Sequence, residues 1–155
     1  MKQRTYVDTS VLGGINDPEF QEWSKKLIAE FKNGVRVLVL SDLTLRELEN
    51  APVFVRSIIE DIPAGNKEIV TLTDEARTLA RTYISEGGIS ERFLLDAQHI
   101  AIATLCRADV LVSWNFKHIV NLKRIRLYNA VNLKNGYPAI EIRSPREVLH
   151  DEEGV

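Results

Sequence analysis

The stretch Arg4-Thr5-Tyr6-Val7-Asp8-Thr9-Ser10-Val11-Leu12 decides the fold, because a short apolar strand runs directly into an acid and two hydroxyl residues. Open α/β sheets bind ligands in the crevice at the carboxyl ends of their strands. A strand that ends at such an edge would place Asp8 in the crevice. The same residue types also suit an ordinary turn or helix cap. A functional role for Asp8 therefore depends on whether other carboxylates reach the same place.

Length and composition predict one folded domain. The chain has 155 residues, of which 45% are hydrophobic and 27% charged, and this balance is typical of a globular protein. We expect a single domain over residues 1–150, followed by a frayed acidic tail at 151–155. No apolar run approaches the roughly 18 residues of a membrane span, and no signal-peptide pattern is visible. The predicted location is the cytoplasm, with no membrane contact.

Predicted strands and helices alternate along the chain. The first predicted strand ends at Val7, and four further strands cover residues 35–40, 68–72, 109–113 and 139–142. The helices cover residues 18–32, 42–51, 53–61, 74–86, 93–107, 117–135 (in two pieces) and 145–149. This alternation predicts a layered α/β fold with a mainly parallel sheet, whose right-handed crossovers bring all strand ends to one edge.

Three acids and one amide occupy positions that could converge at that edge. Asp8 ends the first strand, and Glu47 lies about one and a half turns into the helix after the second strand. Asp96 lies near the start of a helix rich in small residues, and Asn115 follows a later strand much as Asp8 follows the first. Because an ionised carboxylate is costly to bury unless it is paired or metal-bound, we predict that these four side chains meet in one pocket.

A cluster of like charges requires a cation or shared protons. Oxygen ligands without a cysteine or histidine pair favour Mg²⁺ or Mn²⁺ over zinc. The chemistry that such a site suits is phosphodiester hydrolysis, in which a metal activates water and stabilises charge on the phosphate.

Each of these residues also has a structural alternative. Asp96 could cap its helix, Glu47 could be an ordinary exposed helix acid, and Asn115 could cap the turn that follows it. His99, one turn after Asp96, could support the site or could simply be a surface or hydrogen-bonded histidine. The sequence by itself leaves these alternatives open.

Basic residues are concentrated after the acids. The net charge is only −2, yet residues 113–140 contain basic residues and no acid. A basic flank beside an acidic centre suits a polyanion that is held by its phosphates, and the candidates for this contact are Lys117, Lys123 and Arg124. The structural alternative is a solvated helix face.

These motifs together resemble a PIN domain, specifically the VapC-like toxin ribonucleases of type II toxin–antitoxin pairs. Each motif is weak alone, and the resemblance comes from their order and spacing over nearly the whole chain. The matching segments are residues 6–12, 41–48, 95–103, 111–116 and 142–149.

The resemblance implies a three-layer α/β/α sandwich with a metal-dependent site for single-stranded RNA. Asp8, Glu47 and Asp96 match the family's acidic metal ligands. Ser113 matches a small hydroxyl residue that supports the site, and we expect Thr9 and Ser10 to shape the turn that aims Asp8.

One position departs from the family pattern. Asn115 stands where many members have a fourth aspartate, which removes a negative charge and should weaken a second metal site more than the first. The resemblance also implies a homodimer and an antitoxin partner, for which residues 18–32 and 53–61 are the expected contact.

The sequence thus supports two functions of different classes. The first is a Mg²⁺- or Mn²⁺-dependent endoribonuclease that acts as the toxin of a toxin–antitoxin pair. The second, which Asn115 keeps open, is a catalytically weak or inactive PIN-like module that binds RNA or a partner protein. An unrelated α/β phosphatase or receiver-like domain ranks below both, because no second acid follows closely behind Asp8.

Overall fold

The protein was analysed as a computed structural model that describes residues 1–153; side chains are described through Leu149. Its strands are β1 (Gln3–Val7), β2 (Arg36–Ser41), β3 (Lys67–Val70), β4 (Val110–Val112) and β5 (Ile142–Arg143). Its α-helices are α1 (Thr9–Gly13), α2 (Gln21–Lys32), α3 (Asp42–Glu47), α4 (Val53–Asp61), α5 (Asp74–Gly87), α6 (Leu94–Leu105), α7 (Leu122–Lys134) and α8 (Pro145–Glu153). Short 3₁₀ helices cover Gly14–Asn16, Ala64–Asn66 and Glu91–Phe93.

The five strands form one parallel sheet in the order β3-β2-β1-β4-β5. β1 lies in the centre, with Tyr6 opposite Val39 on β2 and Leu111 on β4. The chain moves outward from β1 to β2 and β3, then returns to the other side of β1 as β4. The boundary between β1 and β4 is therefore the point where strand order reverses, which is where open α/β sheets bind ligands.

Alternate residues of the central strands enter two separate cores. Tyr6, Val39 and Leu111 pack on one face of the sheet with residues of α5, α6 and α7. Val7 and Leu40 pack on the other face with residues of α1, α2, α4 and α8. Because successive strand side chains point to opposite faces, one buried sheet holds both helical layers. The predicted three-layer α/β/α sandwich is confirmed.

Several predicted boundaries differ from the structure. Asp17-Pro18-Glu19 forms a turn closed by a hydrogen bond from the Glu19 N–H to Asp17 Oδ1 (2.9 Å), so α2 begins at Gln21 rather than at residue 18. Residues 117–135 contain one α-helix preceded by turns, instead of two helices, because Asn121 caps α7 through the Arg124 N–H (3.2 Å). The predicted strand 139–142 pairs only at Ile142 and Arg143.

The C-terminal helix is longer than the sequence predicts. α8 continues to Glu153, beyond the predicted end at residue 149. The predicted frayed tail remains a prediction, since its residues 154 and 155 lie outside the described residues. Within residues 1–153, no helix combines the length and apolar character needed to cross a membrane.

Candidate active site

Asp8 lies at the reversal of strand order, immediately after β1. Its N–H donates to the carbonyl of Val112 on β4 (3.4 Å), and only 5% of the residue is exposed. Both carboxylate oxygens accept hydroxyl hydrogen bonds, Oδ1 from Ser10 Oγ (2.6 Å) and Oδ2 from Ser113 Oγ (2.7 Å). Two serines from opposite sides of the crevice thus fix the orientation of this carboxylate.

Burial dominates the electrostatics of Asp8. Loss of solvent raises the pKa of its carboxyl above the ordinary value. His99 and the two serine hydrogen bonds oppose this shift, and the nearby Glu47 charge adds to it. The hydrogen bonds and His99 therefore offset only part of the effect of burial on the Asp8 carboxyl.

Asp96 reaches the same place from the first turn of α6. The residue before this helix, Phe93, occupies the cap position and makes no side-chain cap, so the cap interpretation of Asp96 is wrong. Burial raises the pKa of the Asp96 carboxyl, and the charges of Asp8 and Glu47 raise it further. The charges of Asp8 and Glu47 therefore reach Asp96, and a joint catalytic role for the three acids stays a prediction.

Glu47 is the last residue of α3, and its carboxylate is held by a histidine. Its Oε1 lies 2.6 Å from Nε2 of His99, and the Glu47 side chain is 29% exposed. His99 Nδ1 in turn lies 2.7 Å from the hydroxyl of Tyr6. Glu47 is thus the most accessible of the three acids and is anchored from the protein interior.

Asn115 both caps a turn and contacts the acids. Its Oδ1 accepts the N–H groups of Lys117 (3.2 Å) and His118 (2.9 Å). Since both backbone groups can only donate, the oxygen must face them, and the amide nitrogen faces the site. Nδ2 donates to Asp96 Oδ2 at 3.4 Å. The structure therefore places a hydrogen-bond donor toward the acids at this position.

The other predicted supporting residues have different outcomes. Ser10 Oγ accepts the N–H of Trp114 (2.9 Å), and Ser113 Oγ accepts the N–H of Asn115 (2.9 Å), so each serine ties Asp8 to the loop after β4. Thr9 lies in α1 beside them, with Oγ1 buried and without a hydrogen-bond partner among the described residues. No hydrogen bond of the Thr9 side chain among the described residues supports the predicted role of Thr9.

Several basic side chains lie near His118, in or beside the loop after β4. Lys117 and Lys123 are exposed and Arg124 is partly buried. Burial lowers the pKa of His118, and the positive charges of Lys117, Arg124 and Arg92 lower it further. The His118 ring stacks on Phe93 with 3.6 Å between ring centres, and the Arg92 guanidinium lies 5.3 Å from the Phe93 ring.

Sequence reasoning did not assign a role to Tyr6, which bonds His99, or to Phe93 and Arg92, which lie beside His118. The spacing of Tyr6 could have indicated its role. Residues two apart on a strand point to the same side, and Asp8, just after the end of β1, follows Tyr6 by two. Phe93 and Asp96 are three apart at the start of a helix, which is another recognisable spacing. Arg92 has no such signal, since it lies in the 3₁₀ helix Glu91–Phe93.

The donor chemistry of the site fits a hard divalent cation. The donors are carboxylate oxygens. Burial raises the pKa of Asp8 and Asp96, neighbouring carboxylate charges add to the shift, and a cation would offset both effects. As the side chains stand, no group of three or more acids, histidines or cysteines within the described part of the chain forms a ready ligand set. Glu47 is instead bonded to His99.

Comparisons with solved structures agree with this architecture. The fold is similar to that of VapC20 from Mycobacterium tuberculosis, a toxin that cleaves the sarcin-ricin loop. The TM-score is 0.56 at 16% identity, covering 73% of this chain and 91% of that one. It is also similar to VapBC2 from Rickettsia felis bound to a promoter DNA fragment (TM-score 0.53, 17% identity, 92% and 98% covered). A third similar structure is DNA-bound VapBC from Salmonella typhimurium (TM-score 0.53, 19% identity, 94% and 99% covered).

No protein-family model and no curated protein sequence matches the chain. The structural matches nevertheless extend over most of both chains. The chain therefore has the fold of the VapC structures, and the PIN-like resemblance of its sequence is confirmed at the level of the fold.

Proposed function

We propose that this protein is a metal-dependent endoribonuclease that cleaves single-stranded RNA and serves as the toxin of a toxin–antitoxin pair. The observation that carries the proposal is the meeting of Asp8, Glu47 and Asp96 where the strand order reverses, with the pKa of Asp8 and Asp96 raised. A similar fold in a toxin that cleaves the sarcin-ricin loop supports the reaction class.

In this function, Asp8, Glu47 and Asp96 would hold Mg²⁺ or Mn²⁺. Bound there, the ion would supply an activated water and neutralise charge on the scissile phosphate. Ser10 and Ser113 keep both oxygens of Asp8 in a fixed direction through hydrogen bonds of 2.6 and 2.7 Å. Glu47, as the most accessible acid, is the one best placed to meet a substrate that enters from solvent.

The basic side chains near His118 would hold the RNA backbone. Lys117, Arg124 and Arg92 are close enough to His118 to lower its pKa, and His118 is itself linked to Asn115 by a hydrogen bond. A strand of phosphates along these residues would therefore pass beside Asp96. Lys123, exposed at the start of α7, would extend the same contact.

An antitoxin and a second copy of the chain are the proposed protein partners. Two of the similar structures are DNA-bound VapBC assemblies, which supports a partner protein for this chain. α4 exposes Val53 (70%) and Phe54 (45%), which is the apolar surface expected for the antitoxin contact beside α2. The homodimer rests on the family resemblance.

One observation favours the alternative, a catalytically weak module that binds RNA or a protein. The Asn115 oxygen is occupied by the N–H groups of Lys117 and His118, so this side chain offers the site a donor and no ligand oxygen. A site with three carboxylates and no fourth would hold a second cation poorly.

A cleavage assay with matched variants separates these functions. Single-stranded RNA is incubated with wild type, Asp8→Asn and Asp96→Asn, each with Mg²⁺, Mn²⁺ or EDTA. We expect cleavage only by wild type with a divalent ion. Asp74→Asn is the control, because it removes one carboxylate that is fully exposed on α5. Equal cleavage by all four proteins would contradict the proposal, and RNA binding without any cleavage in excess Mn²⁺ would favour the alternative.

A further inference from the structure

A chain of buried hydrogen bonds connects the three elements that carry the acids. It begins at Ser41, the residue that caps α3, and passes through Tyr6 of β1 and His99 of α6 to Glu47 at the other end of α3. The oxygen and nitrogen atoms along it are separated by 2.9, 2.7 and 2.6 Å. Asp8 follows Tyr6 by two residues and Asp96 precedes His99 by three, so each acid-bearing element contributes one member of the chain.

Every polar atom along this chain has a partner. Ser41 Oγ accepts the N–H of Thr44 (3.3 Å) and lies 3.4 Å from the Thr44 hydroxyl and 2.9 Å from the Tyr6 hydroxyl. Both ring nitrogens of His99 are engaged, Nδ1 with the Tyr6 hydroxyl and Nε2 with Glu47 Oε1. Because a carboxylate oxygen can only accept, His99 Nε2 donates to Glu47.

Burial gives the chain a fixed geometry. Ser41 and Tyr6 are fully buried, and His99 is 2% exposed. The Tyr6 and His99 rings also pack together, with centroids 5.9 Å apart and planes inclined by 60°. Side chains enclosed in this way have few alternative rotamers, whereas Glu47 at the surface would otherwise sample many.

We propose that Tyr6 and His99 are positioning residues that hold the Glu47 carboxylate in place for a divalent cation. This inference rests on the proposed function and deepens it. Carboxylates and histidines around metals depend on outer hydrogen bonds for their orientation, and loss of such a bond typically weakens metal binding 10- to 100-fold. Neither Tyr6 nor His99 is required to touch the cation or the RNA.

The test compares two tyrosine variants by Mn²⁺ titration in a calorimeter. Tyr6→Phe removes the hydroxyl that joins Ser41 to His99 and keeps the ring. Tyr83→Phe is the matched control, because Tyr83 is equally buried and its hydroxyl bonds Asn132 (2.5 Å) and Thr104 (3.4 Å), away from the acids. We expect Mn²⁺ to bind Tyr6→Phe about tenfold more weakly than wild type and Tyr83→Phe with unchanged affinity.

A second measurement needs no metal and no variant. Two-bond ¹H–¹⁵N correlation spectra of the metal-free protein report which nitrogen of His99 carries the proton, and we expect Nε2. A His99 Nε2 without a proton, or equal Mn²⁺ affinity in the two tyrosine variants, would overturn the inference. Wild type that binds Mn²⁺ without cutting RNA, with binding weakened in Tyr6→Phe, would remove the proposed nuclease function and support the positioning role.

Discussion

Burial destabilises the ionised form of Asp8 and Asp96 more than their surroundings stabilise it. Two hydroxyl hydrogen bonds of 2.6 and 2.7 Å stabilise the ionised form of Asp8, yet burial still raises the pKa of its carboxyl. A hydrogen bond to a charged group contributes about 1.5–3 kcal/mol, whereas the effective penalty for burying a charge is several kcal/mol. The part of the burial penalty that the hydrogen bonds do not offset lowers the free energy of unfolding, and such a loss is common at functional sites.

Replacement of Asp96 by asparagine should stabilise the protein at neutral pH when EDTA removes divalent ions. Burial and the charges of Asp8 and Glu47 raise the pKa of Asp96 above its ordinary 3.8, so the folded state binds more protons than the unfolded state in the window above that value. The contribution of Asp96 to the free energy of unfolding therefore falls as pH rises through this window. We expect Asp96→Asn to have a higher Tm than wild type at pH 7, by about 2–4 °C per kcal/mol gained.

Thermal unfolding as a function of pH measures this effect. The advantage of Asp96→Asn should shrink as pH falls toward the ordinary carboxyl pKa, because wild-type Asp96 then becomes neutral too. A constant Tm difference at all pH values would show that the charge of Asp96 is not the cause.

The second residue-scale prediction concerns Asn115→Asp. One carboxylate oxygen would keep the bonds from the Lys117 and His118 N–H groups, and the other would replace the nitrogen that lies 3.4 Å from Asp96 Oδ2. Two like charges about 4 Å apart repel by about 1 kcal/mol in water and by about 4 kcal/mol near a protein surface. We expect a lower Tm in EDTA and tighter Mn²⁺ binding or an additional Mn²⁺ per chain.

Calorimetric titration and thermal unfolding measure these two effects. Asn121→Asp is a suitable control, since Asn121 also accepts a backbone N–H (3.2 Å) as a helix cap on α7. Equal changes in both variants would mean that added charge alone, and not its position beside Asp96, accounts for the result.

At the scale of elements, helix placement sets the distance between the acids. α3 is only six residues long, so its cap Ser41 and its last residue Glu47 both remain near the end of β2. α6 presents Asp96 in its first turn, where a negative charge interacts favourably with the helix dipole. α6 can lie close to the sheet because Ala97, Ala101 and Ala103 are fully buried and small.

Ala101→Leu tests this close packing. Ala101 is fully buried, so a larger side chain must displace its neighbours, and such overpacking typically costs 1–3 kcal/mol. We expect a lower Tm by thermal unfolding and weaker Mn²⁺ binding, because α6 would shift and take Asp96 with it. Ala130→Leu is the matched control at an exposed position of α7, and its effect should lie within about 0.5 kcal/mol of zero.

At the scale of the whole molecule, charge is segregated although the net charge is only −2. The charges of Asp8 and Glu47 act on Asp96 near the carboxyl ends of the central strands, and Arg92, Lys117 and Arg124 lie near His118 in the loop after β4. Arg92 precedes the other two by more than twenty residues in the chain, so it joins them only because the start of α6 packs against this loop. This separation of charge suits a polyanion whose phosphates contact the basic side chains.

The whole-molecule prediction is the salt dependence of RNA binding by Arg92→Gln. Each phosphate contact with single-stranded RNA contributes about 0.7 to the slope of log K against log salt concentration. We expect Arg92→Gln to weaken binding and to reduce this slope by about 0.7, measured by fluorescence anisotropy in EDTA to prevent cleavage. Arg77→Gln, on α5 and paired with Asp74, should leave the slope unchanged. Equal slopes for wild type and Arg92→Gln would exclude Arg92 from the RNA contact.

The sequence predicted the fold better than its element boundaries. Alternating strands and helices depend on hydrophobic periodicity, which is local and readable. Asp17-Pro18 was interpreted as a helix start and is a turn instead, because a favourable cap sequence also suits a turn. The strand at residues 139–142 shortened to Ile142 and Arg143 because its length depends on pairing with β4, which is not a local property.

The sequence by itself determined the layered α/β architecture. It also placed Asp8 after the first strand, Glu47 on the helix after the second strand and Asp96 near the start of its helix. Local propensity and periodicity are sufficient for this, since parallel strands must present their carboxyl ends at one edge. Only the tertiary structure decided that the Asn115 oxygen faces its own turn and that His99 joins Tyr6 to Glu47. Hydrogen-bond partners depend on rotamers and on contacts between distant residues, such as Tyr6 and His99, which are 93 positions apart, and these contacts are fixed only when the layers pack.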